Sequence, residues 1–285
     1  TCKLSSKMEE LNMTKTTVNT PVKLTTAQEE FAQALYKTYV NVGALNEDDW
    51  KERVLDDATA YRVQARVMEL KNQPVGGYKV SLTSEETQKM FASTSPLYGA
   101  QVADHFLKSP AHVELKKLNE PLVEVELAFR AKEDLAATDT LEDLFNKTTV
   151  AGAVEVPDAR FSDWFPSLSK YMVMSDCAVG GLVVYGKEFD TNKAFKTPAA
   201  LANVNCELYH DNKKLLDGKS SEVLGNPLNS LKWLVEKLAE QGKTFTANTV
   251  VSSGTFLLPP TLSAGKWQAT FDNNLGKVTV DVAAK

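Results

Sequence analysis

The stretch Pro121-Leu-Val-Glu-Val-Glu-Leu-Ala-Phe129 reads as a β-strand that carries two acids on one face. Side chains alternate along a strand, so Glu124 and Glu126 project together while Val123, Val125 and Leu127 cover the opposite side. Adjacent carboxylates in an apolar strand repel each other and lose hydration. A bound cation relieves both penalties. A third acid, Glu155, sits in the apolar segment Ala153-Val-Glu-Val-Pro-Asp-Ala-Arg160. Three carboxylates without a neighbouring histidine or cysteine favour a hard ion, Mg²⁺ or Mn²⁺. The alternative is an edge strand whose polar face meets water, where glutamate is ordinary.

Working outward, strands dominate the chain from about residue 76. The clearest fall near 122–130, 149–156, 180–185, 202–209, 248–252, 266–272 and 276–282. Asp211-Asn212 marks a turn after the alternating segment Val204-Asn-Cys-Glu-Leu208. Upstream, Thr26 and Glu29 form a capping-box pattern for a helix with a Phe31, Leu35, Val42 stripe. A second helix is expected from Asn46 to Leu70, with Trp50, Val54, Ala58, Tyr61, Ala65 and Met68 at spacings of three and four. Thr83, with Glu86 three residues on, predicts another helix start. Late in the chain Asn226 caps a helix, Pro227 occupies its first turn, Leu228, Leu231, Leu234 and Leu238 form its stripe, and Gly242 stops it. The pattern predicts an α+β fold, divided into a leader over 1–25, a helical part over 26–75 and a strand-rich domain over 76–285.

Composition excludes several functions. Of 285 residues, 43% are hydrophobic and 24% charged, the make-up of a globular protein. The net charge of -5, without long runs of one sign, argues against a nucleic-acid partner. No apolar run approaches the roughly 18 residues of a membrane span. Three widely spaced cysteines, Cys2, Cys177 and Cys206, make neither a disulfide framework nor a zinc pattern. Cys177 and Cys206 lie in apolar stretches, as buried thiols do, and favour a cytoplasmic location. Cys2, at the head of a polar tether, leaves open an extracytoplasmic lipoprotein.

Glycine-rich nucleotide loops and a nucleophile elbow are both missing. His105, His112 and His210 lie in polar contexts and are expected at the surface. Lys79 follows Gly76-Gly77 on a short strand, Tyr78-Lys-Val-Ser-Leu82. Half-burial beside a cation would make it a usable proton carrier. On an edge strand it would instead reach water along its own stem.

Taken together, these segments resemble the 2-keto-4-pentenoate hydratase group of the fumarylacetoacetate hydrolase superfamily, which includes 2-oxo-hept-4-ene-dioate hydratases and 4-oxalocrotonate decarboxylases. The resemblance spans roughly residues 50–283. It rests on Gly77-Tyr-Lys-Val-Ser-Leu-Thr83, Val123-Glu-Val-Glu-Leu-Ala-Phe129, Val154-Glu-Val-Pro-Asp-Ala-Arg-Phe-Ser-Asp-Trp164, Leu224-Gly-Asn-Pro-Leu-Asn229 and Val251-Ser-Ser-Gly-Thr255, in that order. It implies a mixed β-sheet roll with a helical N-terminal part. It implies that Glu124, Glu126 and Glu155 hold the divalent cation, which chelates a 2-oxo acid, and that Lys79 shuttles protons. It further implies that Asp158, Asp176, Gly254 and Thr255 line or support the pocket, with Arg160 in an ion-pair network. The activity implied is hydration of a short 2-hydroxy-2,4-dienoate in a homo-oligomer. Decarboxylation of a 2-oxo acid, or binding without catalysis, are the alternatives.

Three positions depart from the group's pattern. Leu97 stands where an acid is expected, Val179 where serine is usual, and Asn226 where histidine is usual. Loss of an acid and a hydroxyl removes groups that position water or protons, terms worth about 10²–10⁴ in rate.

Overall fold

The computed structural model describes residues 23–285. The leader up to residue 22, Cys2 included, lies outside the described residues. Among the described residues seven α-helices run over Thr26–Asn41 (α1), Asp57–Lys71 (α2), Glu85–Met90 (α3), Leu141–Asn146 (α4), Lys170–Ser175 (α5), Thr191–Ala194 (α6) and Pro227–Glu240 (α7). The strands are Val75–Ser81 (β1), Leu97–Val102 (β2), Phe106–Lys108 (β3), Ala111–Glu114 (β4), Glu124–Ala131 (β5), Thr148–Val156 (β6), Leu182–Tyr185 (β7), Phe189–Asp190 (β8), Asn205–His210 (β9), Lys213–Lys219 (β10), Val250–Ser252 (β11), Gly265–Phe271 (β12) and Gly276–Ala283 (β13).

Most strands lie within three residues of where alternation puts them. The short strands β3, β4 and β8 give too few residues for a pattern, and β2 and β10 do not alternate cleanly. The helix starts shift. Thr25 rather than Thr26 caps α1, reciprocally with Gln28. Ser84 rather than Thr83 caps α3, reciprocally with Thr87. The expected helix from Asn46 is corrected most. Asn46 caps only a 3₁₀ turn, Glu47–Asp49. Trp50 then stacks on Phe31 of α1, ring centroids 5.4 Å apart, Val54 is extended and fully buried, and Asp56 starts α2 by accepting the Thr59 amide at 2.8 Å. Packing of two large apolar side chains against α1 outweighs helical propensity over residues 46–56.

Helix α7 follows its sequence pattern. Asn226 Oδ1 accepts the Leu228 amide at 2.9 Å, and Leu228, Leu231, Leu234 and Leu238 are fully buried, each contributing about 1.5–3 kcal/mol of apolar burial.

The larger sheet has the order β2-β1-β11-β5-β6-β7-β3, with β8 added to β6. It is mixed: β1 runs parallel to β11, β3 parallel to β7, and the other pairs are antiparallel. Its ends are close in sequence, because one 3₁₀ turn, Ala103–His105, joins β2 directly to β3. The sheet therefore curls into a roll. Phe106 of β3 lies so close over Gly77 of β1 that a Cβ there would come within 2.7 Å of its ring. Small side chains fill the narrow interior: Phe106 packs with Ala128, Ala151, Ala153, Val183 and Val250. The second sheet, β10-β9-β12-β13-β4, packs on the outside of β6 and β7. Gly152 of β6 makes room there for the ring of Phe271. Among the described residues no helix is long and apolar enough to cross a membrane.

Candidate metal centre

Strand register assembles the acids. β5 and β6 pair antiparallel with Glu124 directly opposite Glu155 and Glu126 opposite Ala153. Glu124, Glu126 and Glu155 therefore share the inner face of the roll. One carboxylate oxygen from each lies within 4.8 Å of the other two. The edge-strand alternative is overturned: β5 is an interior strand between β11 and β6. Glu126 is 0% and Glu155 1% exposed.

Lys79 is likewise no edge residue. β1 lies between β2 and β11, Lys79 is buried, and its Nζ donates to Glu155 Oε2 at 2.6 Å. Ser252, beside Lys79 in the parallel β1–β11 register, donates its hydroxyl to Glu126 Oε2, which also accepts the Gly254 amide at 2.8 Å. Gly254 has φ +128°, and a Cβ there would run into the Thr83 side chain. The backbone can present its amide to Glu126 only because the residue is glycine.

These bonds use one oxygen of each inner acid. Glu126 Oε1 and Glu155 Oε1 are buried without a hydrogen-bond partner. Orphaned carboxylate oxygens in a dry interior are costly, and here both belong to the acid cluster. Burial pushes the Glu124 carboxyl up to about 8, Glu126 to about 7 and Glu155 to about 8, with repulsion among the acids adding to the effect. Burial alone would lower Lys79, but the charges of Glu155 and Glu124 overcome it and raise the lysine. Fully ionised, three carboxylates and one ammonium carry a net charge of -2, which a divalent cation neutralises. The donor set, all oxygen, suits a hard ion.

The pH dependence follows with its sign. Carboxyl groups raised in the folded state from an ordinary 4.5 hold more protons folded than unfolded between about pH 5 and 8. Stability of the metal-free protein therefore falls as pH rises through that window. In chelator, the melting temperature is expected to drop by roughly 10 °C from pH 5 to 8. Saturating Mn²⁺ restores it most strongly at pH 8, because ligands bind deprotonated. Differential scanning calorimetry at each pH, with and without Mn²⁺, measures this. A flat chelator profile would mean that the acids are not held in a dry cluster.

A cavity of about 70 Å³ opens beside Glu124, lined by Lys79, Leu82, Phe91, Trp164, Val179, Thr255 and Leu258 among others. Leu97 is buried on β2 opposite Ser81. Thr255 is on the wall, but its hydroxyl donates to Leu257 O at 2.7 Å. Asp158 and Asp176 lie elsewhere. Asp158 accepts the Asn119 and Glu120 amides, each at 2.8 Å, and faces a separate, larger hollow of about 460 Å³. Asp176 accepts Arg160 Nε at 2.9 Å and the Arg160 amide at 2.8 Å.

The ion-pair network holds a turn. Cys177, Ala178 and Val179 have φ of 51°, 56° and 50°, left-handed at three successive residues with side chains, a conformation costing roughly 1–2 kcal/mol each. Three contacts fix it: Gln101 Nε2 donates to Cys177 O at 2.9 Å, the Asp158 amide to Val179 O at 2.8 Å, and Arg160 Nη2 to Gly180 O at 2.8 Å. Gly99 permits the approach, since a Cβ there would collide with Cys177 O. The product of this strain is the placement of Val179 in the cavity wall.

His105 corrects another expectation. It is buried, with Nδ1 against Gln101 Oε1 at 3.1 Å and Nε2 against Tyr39 Oη at 3.0 Å. Burial, with the charges of Lys71 and Arg160, lowers it to about 3, so it is neutral. Cys177 and Cys206 are buried free thiols, as expected.

This roll is the fumarylacetoacetate-hydrolase-like fold. It superposes on 4-oxalocrotonate decarboxylase from Pseudomonas putida G7, complexed with magnesium and adipate, with a TM-score of 0.80 at 22% identity over 90% of this chain and 97% of that one. It also superposes on a protein from Yersinia pestis CO92 described as of the fumarylacetoacetate hydrolase family, TM-score 0.57 at 13% identity over 74% of this chain and 95% of that one. At these identities the likeness is one of fold. No family model matches the chain. In sequence it is 30% identical over 233 residues to 2-keto-4-pentenoate hydratase of Burkholderia vietnamiensis, covering 78% of this chain and 85% of that protein. The chain belongs to the 2-keto-4-pentenoate hydratase family.

Proposed function

We propose that the protein is a divalent-metal-dependent hydro-lyase acting on a short 2-hydroxy-2,4-dienoate, with Glu124, Glu126 and Glu155 holding Mg²⁺ or Mn²⁺. The observation that carries this is the pair of buried, partnerless oxygens, Glu126 Oε1 and Glu155 Oε1, on two acids whose carboxylates converge with that of Glu124. When bound, the cation supplies a Lewis acid for the carboxylate and 2-oxo oxygen of the substrate.

The protein's own groups do the rest. Ser252 and the Gly254 amide fix one oxygen of Glu126 and leave the other free of hydrogen bonds. Lys79 Nζ holds a proton on Glu155 Oε2 at 2.6 Å and is the proton carrier for the substrate carbons. Water adds across the 4,5 double bond, hydroxyl to C4 and proton to C5, and the 2-hydroxyl gives up its proton as C3 gains one, so that the 2,3 enol becomes the ketone of a 4-hydroxy-2-oxo acid. Leu82, Trp164 and Val179 keep bulk water from the reacting chain. The hydratase relative at 30% identity supports hydration over decarboxylation, because the decarboxylase likeness, at 22%, is one of fold. A homo-oligomer fits the exposed Val40, Val42 and Leu55 of the N-terminal part, and the buried thiols fit a cytoplasmic enzyme.

The test is spectrophotometric. Freshly prepared 2-hydroxypenta-2,4-dienoate is expected to lose its dienoate absorbance on adding protein with Mn²⁺ or Mg²⁺, with a 4-hydroxy-2-oxo acid recovered as product. No metal-dependent loss, or loss with release of carbon dioxide, would overturn hydration.

A further inference from the structure

Resting on the hydratase reading above, we infer that Gln101, oriented by His105 and Tyr39, is a positioning residue for the reaction: from outside the cavity beside Glu124 it sets where Val179 stands in the wall. All three lie beyond the lining of that cavity. Tyr39 and His105 line the larger hollow instead, together with Gly180 and Gly181. Val179 faces the cavity, so the segment 179–181 is a partition with the hollow behind it.

The hydrogen bonds run in one direction. The Cys177 carbonyl can only accept, so Gln101 turns its Nε2 to it, at 2.9 Å. That leaves Oε1 for His105 Nδ1 at 3.1 Å. A carboxamide oxygen only accepts, so Nδ1 carries the proton. His105 is buried and neutral, and its Nε2 therefore accepts from the Tyr39 hydroxyl at 3.0 Å. Each link fixes the next. The other two contacts that hold the left-handed run lack this freedom: one comes from the Asp158 backbone amide, the other from Arg160, which Asp176 locks. Gln101 alone can invert. A half-turn of its amide would set Oε1 against the Cys177 carbonyl, acceptor on acceptor, and the His105 proton opposes it. The side chain lies flat against Gly180, where a Cβ would run into its amide. Without this clamp the run at φ of 51°, 56° and 50° is free to relax and to carry Val179 out of the wall that keeps water from the reacting chain.

The test is a double-mutant cycle in the full-length, Mn²⁺-loaded protein, read as kcat/KM for 2-hydroxypenta-2,4-dienoate. Gln101→Leu is expected to lower kcat/KM by about tenfold with Val179 in place and by less than about twofold in a Val179→Ala background, because the effect passes through Val179. Equal losses in the two backgrounds overturn the inference, since Gln101 would then serve the fold at large. The preceding link is tested separately. His105→Asn keeps a donor near the Nδ1 position and is expected to stay within about twofold of the parent, whereas His105→Leu loses about as much as Gln101→Leu. Matching values for the two His105 variants overturn the relay, and this pair decides if Gln101→Leu fails to fold. Amide hydrogen exchange over residues 176–181 needs no turnover. It is expected to quicken by at least about tenfold in Gln101→Leu and in His105→Leu, with β5 unchanged; unaltered exchange over 176–181 overturns the inference. A parent protein without turnover overturns the hydratase reading, and exchange still decides the clamp.

Discussion

Glu126→Ala is expected to fold and to lose its metal. Glu126 is the acid most fully committed to the cluster: one oxygen is fixed by Ser252 and the Gly254 amide, and the other is buried without a partner. Removing it leaves two carboxylates, too few charged donors to hold Mg²⁺ against water. Breaking one buried charge contact costs about 3–5 kcal/mol, roughly 10²–10⁴-fold in metal Kd. The strand itself loses little, because Val125 and Leu127 on the opposite face still pack in the core. Circular dichroism should match the parent protein, while metal analysis after dialysis into trace Mn²⁺ falls from about one equivalent to near none, and activity falls with it. Retained stoichiometry would mean that the ligands are other residues.

Lys79→Met separates chemistry from metal binding. Methionine replaces the stem of the lysine without its charge. The three acids lose their internal counter-ion, so the cluster attracts a cation at least as strongly as before. The proposed proton carrier is gone. Dienoate turnover is expected to fall by about 10²–10⁴ with Mn²⁺ stoichiometry unchanged. A variant that loses metal and activity together would make Lys79 a structural strut. One that retains activity would place the proton carrier elsewhere.

The two acids on β5 were the easiest feature to read in advance, since period-two alternation requires Glu124 and Glu126 to share a face. The placement of Glu155 follows from pairing between strands. That is a non-local fact, which spacing along one segment does not contain, and the resemblance supplied it. Lys79 was ambiguous for the same reason. Whether a lysine on a short strand meets water depends on which strands flank it, and here β2 and β11 lie on its two sides. His105 was misplaced because the residues that bury it, Tyr39 and Gln101, lie on α1 and β2. Gln101 is only four positions away, but Tyr39 is 66. The left-handed run Cys177–Val179 has no glycine to announce it. The Cys177 and Val179 carbonyls are held by Gln101 and the Asp158 amide, and Arg160 holds that of Gly180 just after, so the conformation belongs to the tertiary structure. The helix expected from Asn46 does not form over residues 46–56, because Trp50 and Val54 are drawn into the core beside α1.

The ladder between β5 and β6 has a consequence for how such a protein can change. Glu124 and Glu155 meet as direct cross-strand neighbours, so the spacing of the donors is set by the backbone pleat rather than by any loop. A slip of one residue along that ladder would turn Glu155 outward. The stretch from Lys132 to Lys147, which joins the two strands, does not set that spacing; it is anchored separately by Leu135, Leu144 and Phe145, which are buried. Evolution can rewrite its exposed positions, such as Ala136, Ala137 and Thr138, while the spacing of the three carboxylates stays as it was, which leaves this hairpin end open to new surface roles that need not disturb the acids inside.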